Sequence, residues 1–221
     1  MKAALKHIVA HTYKPLLIKY LSKTRMYKWG GIKLEIPTQV FHPGFFTSTQ
    51  ILLQYISRLL LQSKSLLELG AGSGLIAIQA AKQGAVVTAT DINPIAIKYL
   101  HCNSLQNNVS LEIIRSDLFT DIPRQPFDII AINPPYYKKQ PVTIQDYAWF
   151  CGENGEYFSG LFSQLAGYIH DKTETIMVLC DGCDIAMIET AAKRNGFKLQ
   201  LMLTKQNMLE KNFIYKIEKK K

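Results

Sequence analysis

The chain has 221 residues, of which 48% are hydrophobic and 19% are charged. This length and composition suit a folded α/β domain and exclude a largely disordered chain. No apolar run reaches the ~18 residues of a membrane helix, and lysines interrupt the N-terminal segment, so we expect a cytoplasmic protein without a secretory signal.

The net charge of +9 is concentrated at the two ends of the chain. Residues 1–34 contain eight lysines and arginines and no acid, residues 216–221 add further lysines, and the segment between them is slightly acidic. A basic arm on a nearly neutral body suggests an acidic partner, either RNA or an acidic protein surface. A solvated, lysine-rich helix face would explain the same charges equally well.

The first 40 residues are predicted to form an appendage to a main domain at 41–221. Apolar residues at helical spacing predict a basic helix over 3–22, and Gly30-Gly31 between two short extended pieces predicts a hairpin. Thr47, followed three residues later by Gln50, predicts a capping box at the start of the next helix.

From residue 65 onward, β-branched apolar runs alternate with helical patterns. Such runs, joined by helices, are typical of a parallel sheet that is covered on both faces. The last two runs, FKLQLMLTK and NFIYKIEK, have a connection too short for a parallel crossover, so they predict an antiparallel hairpin. Asn93 and Pro94 predict a capped helix start after the second of these strands.

Three successive strand ends carry residues suited to a nucleotide-like ligand. The first ends in ELGAGSG, where Gly70, Gly72 and Gly74 allow a sharp turn and close approach of a ligand. The second ends at Asp91, whose carboxylate can accept hydrogen bonds from ribose hydroxyls. The third ends at Asp117, which could accept from an adenine amino group. Because doubly wound sheets bind ligands at the carboxyl ends of strands, we expect one cofactor site here.

Together with the later NPPY, the stretches ELGAGSG, ATD and RSD resemble the class I S-adenosylmethionine-dependent methyltransferases. The resemblance implies S-adenosyl-L-methionine as cofactor. It also implies the Rossmann-like methyltransferase fold, an α/β doubly wound, seven-stranded, mostly parallel sheet with an antiparallel last strand. The expected cofactor contacts are Glu68, Gly70, Ala71, Gly72, Gly74, Asp91, Ile92, Ser116, Asp117, Leu118 and Asn133.

The fourth strand ends in Asn133-Pro134-Pro135-Tyr136, where the donor methyl group would lie. Amide and nucleobase NH₂ groups are poor nucleophiles, because their lone pair is delocalised. Two acceptors, the Asn133 side-chain oxygen and the Pro134 carbonyl, would fix such a nitrogen and stabilise the charge that develops on it. The prolines stiffen the loop, and Tyr136 offers a face for stacking. We therefore predict catalytic roles for all four residues.

This motif is similar to that of methyltransferases that modify planar nitrogens. VFHPGFFTST and AWFCGENGEYFSGLF resemble segments of the release-factor glutamine methyltransferases, although Cys151 replaces a more usual glycine. The first of these segments makes Phe45, Phe46 and Thr47 expected substrate contacts, together with Tyr136. We therefore predict methylation of a protein glutamine, with a peptide chain release factor as a candidate partner.

Two alternatives remain, and neither involves a metal. The same chemistry could act on a structured RNA, at adenine N6 or guanine N2, with basic residues contacting phosphates. Alternatively, the chain could be a non-catalytic cofactor-binding module that holds RNA. The C-x-x-C spacing of Cys180 and Cys183 lacks a second ligand pair, so it favours a plain strand end over a zinc or redox site.

Overall fold

A computed structural model describes residues 20–207 and 210–220. Most of the basic helix predicted over 3–22 lies outside the described residues. The predicted hairpin is present, with β1 at Arg25–Trp29 paired antiparallel to β2 at Ile32–Ile36. Both glycines of its turn have positive φ, 49° at Gly30 and 84° at Gly31, which residues with a Cβ seldom adopt.

The hairpin shares the hydrophobic core of the main sheet. Ile32, Leu34 and Ile36 are buried in the same apolar cluster as the sheet residues. The side-chain amides of Asn103 and Asn107 each exchange a pair of hydrogen bonds with the β2 backbone, as a neighbouring strand would. The hairpin is therefore packed into the domain, and the division after residue 40 stays a prediction about chain organisation.

The main sheet has seven strands in the spatial order β5-β4-β3-β6-β7-β9-β8. Neighbouring strands are parallel except for β9, which runs antiparallel to both β7 and β8. This arrangement confirms the predicted mostly parallel sheet with a reversed last strand. The strands are β3 Ser65–Leu69, β4 Val86–Asp91, β5 Glu112–Arg115, β6 Phe127–Ile132, β7 Ile169–Cys180, β8 Phe197–Gln206 and β9 Lys211–Lys219.

Helices cover both faces of this sheet. Successive β6 residues alternate between two apolar clusters, with Ile129 in one and Ile130 in the other, so each face has its own core. None of the helices in the described residues has the length and apolar character to span a bilayer. The helices are α1 Thr47–Ile56, α2 Leu75–Lys82, α3 Pro94–Gln106, α4 Glu156–Leu165 and α5 Ile185–Arg194, with 3₁₀ turns at Ile144–Ala148 and Ala166–Tyr168.

The two predicted helix starts have different outcomes. Asn93 caps α3 as predicted, because its side chain accepts a hydrogen bond from the Ile95 N–H at 2.9 Å. The capping box at Thr47 is wrong, since Phe46 is the N-cap residue and no side chain caps the helix. The Thr47 hydroxyl instead accepts a hydrogen bond from Asn207 Nδ2 at 2.9 Å, a partner far along the chain.

Candidate active site

A cavity lies at the carboxyl ends of β3, β4 and β6 and beside the segment that follows β5. About 1200 Å³ of space lies inside it, with the open solvent at its mouth included. The glycine-rich turn, Asp91, Asp117 and the Asn133–Tyr136 segment all line it. Every predicted cofactor contact except Gly74 lies in its wall.

Asp91 connects the glycine-rich turn to the start of α3. One carboxylate oxygen accepts a hydrogen bond from the Gly72 N–H and the other from the Asn93 N–H, both at 2.8 Å. Each oxygen keeps a second lone pair, so the carboxylate can still accept from ligand hydroxyls. Burial raises the pKa of Asp91, and these backbone N–H groups act in the opposite direction by stabilising the ionised form.

Gly74 has a structural role that the sequence did not reveal. It does not line the cavity but occupies the N-cap position of α2, with a φ of 86°. A Cβ at this position would lie 2.6 Å from Cδ2 of Leu100, too close for two carbon atoms. This glycine permits the left-handed backbone and the close packing of α2 on α3. That it also passes along the cofactor stays a prediction, which this cavity does not support.

Glu68 is a buried acid in the cavity wall, and only 5% of its surface is exposed. Its Oε2 accepts a hydrogen bond from the Ala77 N–H in α2 at 2.8 Å. Burial, opposed by the Ala77 hydrogen bond and aided by the nearby Asp91 charge, raises the pKa of Glu68 to about 8. The side chain is therefore mainly protonated at neutral pH.

This pKa predicts how stability changes with pH. Between the ordinary Glu pKa of 4.5 and about 8, the unfolded chain has released this proton while the folded chain retains it. The contribution of Glu68 is therefore fully present below pH 4.5 and is lost as pH rises towards 8. In Glu68→Gln, an isosteric amide that can still accept from Ala77, this loss should be absent.

The measurement is chemical unfolding of the wild type and Glu68→Gln across the same pH range. Relative to the wild type, the free energy of unfolding of Glu68→Gln should rise by about 3–5 kcal/mol between pH 5 and pH 8. Parallel stability curves for the two proteins would contradict the raised pKa.

Asn133 lies between the sheet and α1. Its Nδ2 donates a hydrogen bond to Thr49 Oγ1 at 3.1 Å. Among the described residues, neither the Asn133 Oδ1 nor the Pro134 carbonyl has a hydrogen-bond donor, and both residues line the cavity. Two acceptors are thus available at the end of β6, as the sequence predicts for a site that orients an NH₂ group.

Tyr136 forms part of the cavity wall with its ring largely buried, at 9% exposure. Burial raises the pKa of Tyr136, and the neighbouring Cys180 and Tyr137 act in the same direction, so the phenol stays protonated. The segment after it is fixed by a hydrogen bond from the Tyr137 N–H to the Trp149 carbonyl at 3.0 Å. Tyr136 is therefore a rigid, neutral aromatic wall beside the two acceptors.

Several residues of the cavity wall lie in the segment after NPPY and were not predicted from the sequence. Tyr147, Trp149 and Tyr157 all line the cavity, the first from the 3₁₀ turn at Ile144–Ala148. Burial raises the pKa of Tyr157, and the nearby charges of Asp117 and Asp91 add to this effect. The 3₁₀ turn begins with a capping box, Thr143 with Asp146 three residues later. This pattern could have predicted the turn from the sequence.

The three predicted substrate contacts from the segment VFHPGFFTST lie outside this cavity. Phe46 packs against the rings of Phe41 and Trp149, with centroids 4.4 and 5.0 Å away. Phe45 packs on His42, with ring centroids 4.6 Å apart. For Phe45, Phe46 and Thr47, substrate contact therefore stays a prediction that this cavity does not support. The residues of the same segment that line the cavity are Val40, Phe41, Pro43 and Thr49.

Comparison with known proteins gives one family and several relatives. The family model described as methyltransferase small domain matches residues 38–151. A relative from Methanocaldococcus jannaschii, provisionally named a protein N5-glutamine methyltransferase, is 37% identical over 128 residues. That alignment covers 57% of this chain and 62% of the relative, so the chain spans less than two thirds of the relative's length.

Two solved structures share the fold. One is the E. cuniculi Mtq2–Trm112 complex, described as responsible for methylation of the eRF1 translation termination factor. It has a TM-score of 0.61 and 21% identity, and the match covers 82% of this chain and 99% of that chain. The T. thermophilus 16S rRNA N2 G1207 methyltransferase, in complex with AdoMet and guanosine, has a TM-score of 0.65 and 16% identity, covering 90% and 50%.

These findings confirm the predicted class I S-adenosylmethionine-dependent methyltransferase domain and its cofactor. They do not distinguish between a protein and an RNA substrate, since one of the two solved structures is described for a protein substrate and the other for 16S rRNA. Because the family model matches residues 38–151, more than half of the chain, and these residues form most of the cavity, the chain belongs to the methyltransferase small domain family.

Proposed function

We propose that this chain methylates the side-chain amide nitrogen of a glutamine in a protein substrate. The observation that carries the proposal is the pair of acceptors at the end of β6, the Asn133 Oδ1 and the Pro134 carbonyl. Two acceptors match the two N–H bonds of a planar NH₂ group. The M. jannaschii relative and the E. cuniculi complex, by their names, support a protein acceptor.

The cavity has features that fit S-adenosylmethionine. A Cβ at Gly70 would meet no atom within 4 Å, so the turn leaves open space where a ligand can approach the backbone. Asp91 would hold the ribose hydroxyls, while Ile92, Asp117 and Leu118 would surround the adenine. When bound, this cofactor supplies an electrophilic methyl group.

The protein contributes orientation and charge stabilisation to the reaction. Asn133 Oδ1 and the Pro134 carbonyl accept hydrogen bonds from the two N–H groups of the substrate amide. These bonds hold the amide nitrogen in line with the methyl group and stabilise the positive charge that develops on it. Tyr136 covers one side of the planar group and limits access of water. The methylated nitrogen is strongly acidic, so its proton can leave to solvent without a general base.

An RNA base is the second candidate acceptor, at adenine N6 or guanine N2. The basic charge of residues 1–34 would suit RNA phosphates and an acidic protein surface alike. Nucleobase amines present the same planar NH₂ group, so Asn133 and Pro134 suit both acceptors. A non-catalytic module would have no need for acceptors at the methyl position. An acidic partner and a cytoplasmic location remain predictions.

The test uses labelled S-adenosylmethionine and an extract of cells that lack this protein. We expect the label to enter protease-sensitive, nuclease-resistant material, and mass spectrometry to find one added methyl group on a glutamine side chain. Nuclease-sensitive label would refute the glutamine acceptor in favour of RNA. If no macromolecule is labelled although the cofactor binds, the non-catalytic alternative is correct.

A further inference from the structure

Thr49 contacts the residue on which the proposed chemistry depends. It lies in the first turn of α1, is 6% exposed, and its Oγ1 is 3.1 Å from Asn133 Nδ2. The two residues are 84 positions apart in sequence. This is the one side-chain hydrogen bond of Asn133 within the described residues. Thr49 also lines the cavity, although no sequence pattern singles it out.

We propose that Thr49 is a positioning residue that orients the Asn133 side-chain amide, so that its oxygen faces the acceptor nitrogen. The inference rests on the proposed function. A carboxamide has an acceptor at one end and two donors at the other, and a half-turn about its last torsion exchanges them. With the NH₂ end facing the cavity, Asn133 would present donors to the donors of the incoming NH₂ group. While Thr49 Oγ1 accepts from Nδ2, as it does in this structure, the productive orientation is held.

α1 is well suited to hold Thr49 in a fixed place. Its first residue, Thr47, accepts a hydrogen bond from Asn207, and Gln54 near its end accepts one from Lys205 at 3.0 Å. The apolar side of the helix is buried in the core beside β7 and β9. A β-branched side chain in a helix has few χ1 rotamers, which fixes the hydroxyl further. The Thr49 oxygen is therefore held on a rigid support.

The substitution Thr49→Val keeps the shape of the side chain and removes its oxygen, whereas Thr49→Ser keeps the oxygen. We expect Thr49→Val to slow methyl transfer at saturating cofactor about 10- to 100-fold, because the Asn133 amide would no longer be held in the productive orientation. Cofactor affinity should stay within about twofold, and Thr49→Ser should retain most of the rate.

A matched control is Thr88→Val. Thr88 is a buried threonine in β4 that donates to Glu112 Oε2 at 2.6 Å, and it does not line the cavity. Its substitution removes a threonine hydroxyl in the same way but should leave the rate unchanged. If Thr88→Val slowed transfer as much as Thr49→Val, or if Thr49→Ser were as slow as Thr49→Val, the positioning role would be overturned.

A second measurement does not depend on activity. The NMR signals of the Asn133 side-chain NH₂ can be identified as the pair that is absent from the Asn133→Ala spectrum. We expect these signals to shift in Thr49→Val and to stay in place in Thr88→Val. Unchanged signals in Thr49→Val would overturn the inference, whether or not the wild type methylates glutamine. If these signals shift in Thr49→Val but the wild type shows no methyl transfer, the proposed function is rejected and the role of Thr49 in orienting Asn133 is retained.

Discussion

Asn133→Ala should lose methyl transfer and keep cofactor binding. The Asn133 side-chain oxygen is one of two acceptors proposed to stabilise the charge that develops on the attacking nitrogen. Removal of one such group typically costs about 10²–10³-fold in rate. Cofactor affinity should change by about threefold or less, because the rest of the cavity wall, including the turn at Gly70–Gly72 and Asp91, is untouched.

The measurement is the initial rate of transfer from labelled S-adenosylmethionine, together with calorimetric titration of the cofactor. Asn195→Ala is a matched control, because that asparagine lies at the end of α5, where its Nδ2 donates to the Ala191 carbonyl, remote from the cavity. It should transfer at the wild-type rate. If Asn133→Ala kept full activity, the two-acceptor explanation of the NPPY segment would fail.

The sequence was most informative where one local rule governs the structure. Continuous apolar runs such as FDIIAI mark a strand buried on both faces, and β6 does alternate between two cores. In a parallel sheet the carboxyl ends of strands lie at one edge. The residues that follow each predicted strand were therefore candidates for one site, and Gly72, Asp91 and Asn133 do line a single cavity.

The incorrect capping box at Thr47 and the unforeseen packing role of Gly74 both concern residues whose role depends on a distant partner. The Thr47 hydroxyl bonds Asn207, which lies in the loop between β8 and β9, so it is not free to cap α1. Gly74 packs against Leu100 of α3. A spacing of glycines cannot distinguish one that faces a ligand from one that faces another helix. In both positions the residue type was informative, and the partner was encoded elsewhere in the chain.

The same limitation explains why Thr49 and the wall residues after NPPY were missed. Trp149 reaches the cavity because its carbonyl accepts from the Tyr137 N–H, which ties the two ends of this long segment together. The role of Thr49 depends on the packing of α1 beside the end of β6, which brings its hydroxyl to Asn133. Contacts between residues 84 positions apart leave no periodic pattern in a single sequence.

The second large effect is expected at Asp91. Both of its carboxylate oxygens already accept backbone N–H groups, from Gly72 and Asn93, and both are proposed to accept from the ribose hydroxyls as well. In Asp91→Asn one oxygen becomes an NH₂ group, which faces a backbone N–H in either orientation of the amide and can no longer accept from a ribose hydroxyl. We expect cofactor affinity to fall by at least about 30-fold, and stability to fall by about 1–3 kcal/mol through the unpaired N–H.

The loss of affinity has two possible origins, which a modified ligand separates. S-adenosylhomocysteine, the demethylated form of the cofactor, can be compared with its 2′,3′-dideoxy analogue in calorimetric titrations of both proteins. If Asp91 binds the ribose, the wild type should lose affinity for the dideoxy compound, whereas Asp91→Asn should discriminate much less between the two ligands. If both proteins discriminate equally, the carboxylate only shapes the glycine-rich turn, and the ribose assignment is wrong. Such a result would still agree with the two hydrogen bonds that Asp91 accepts. Removal of a carboxylate that only organises the turn would lower the affinity for both ligands by the same factor.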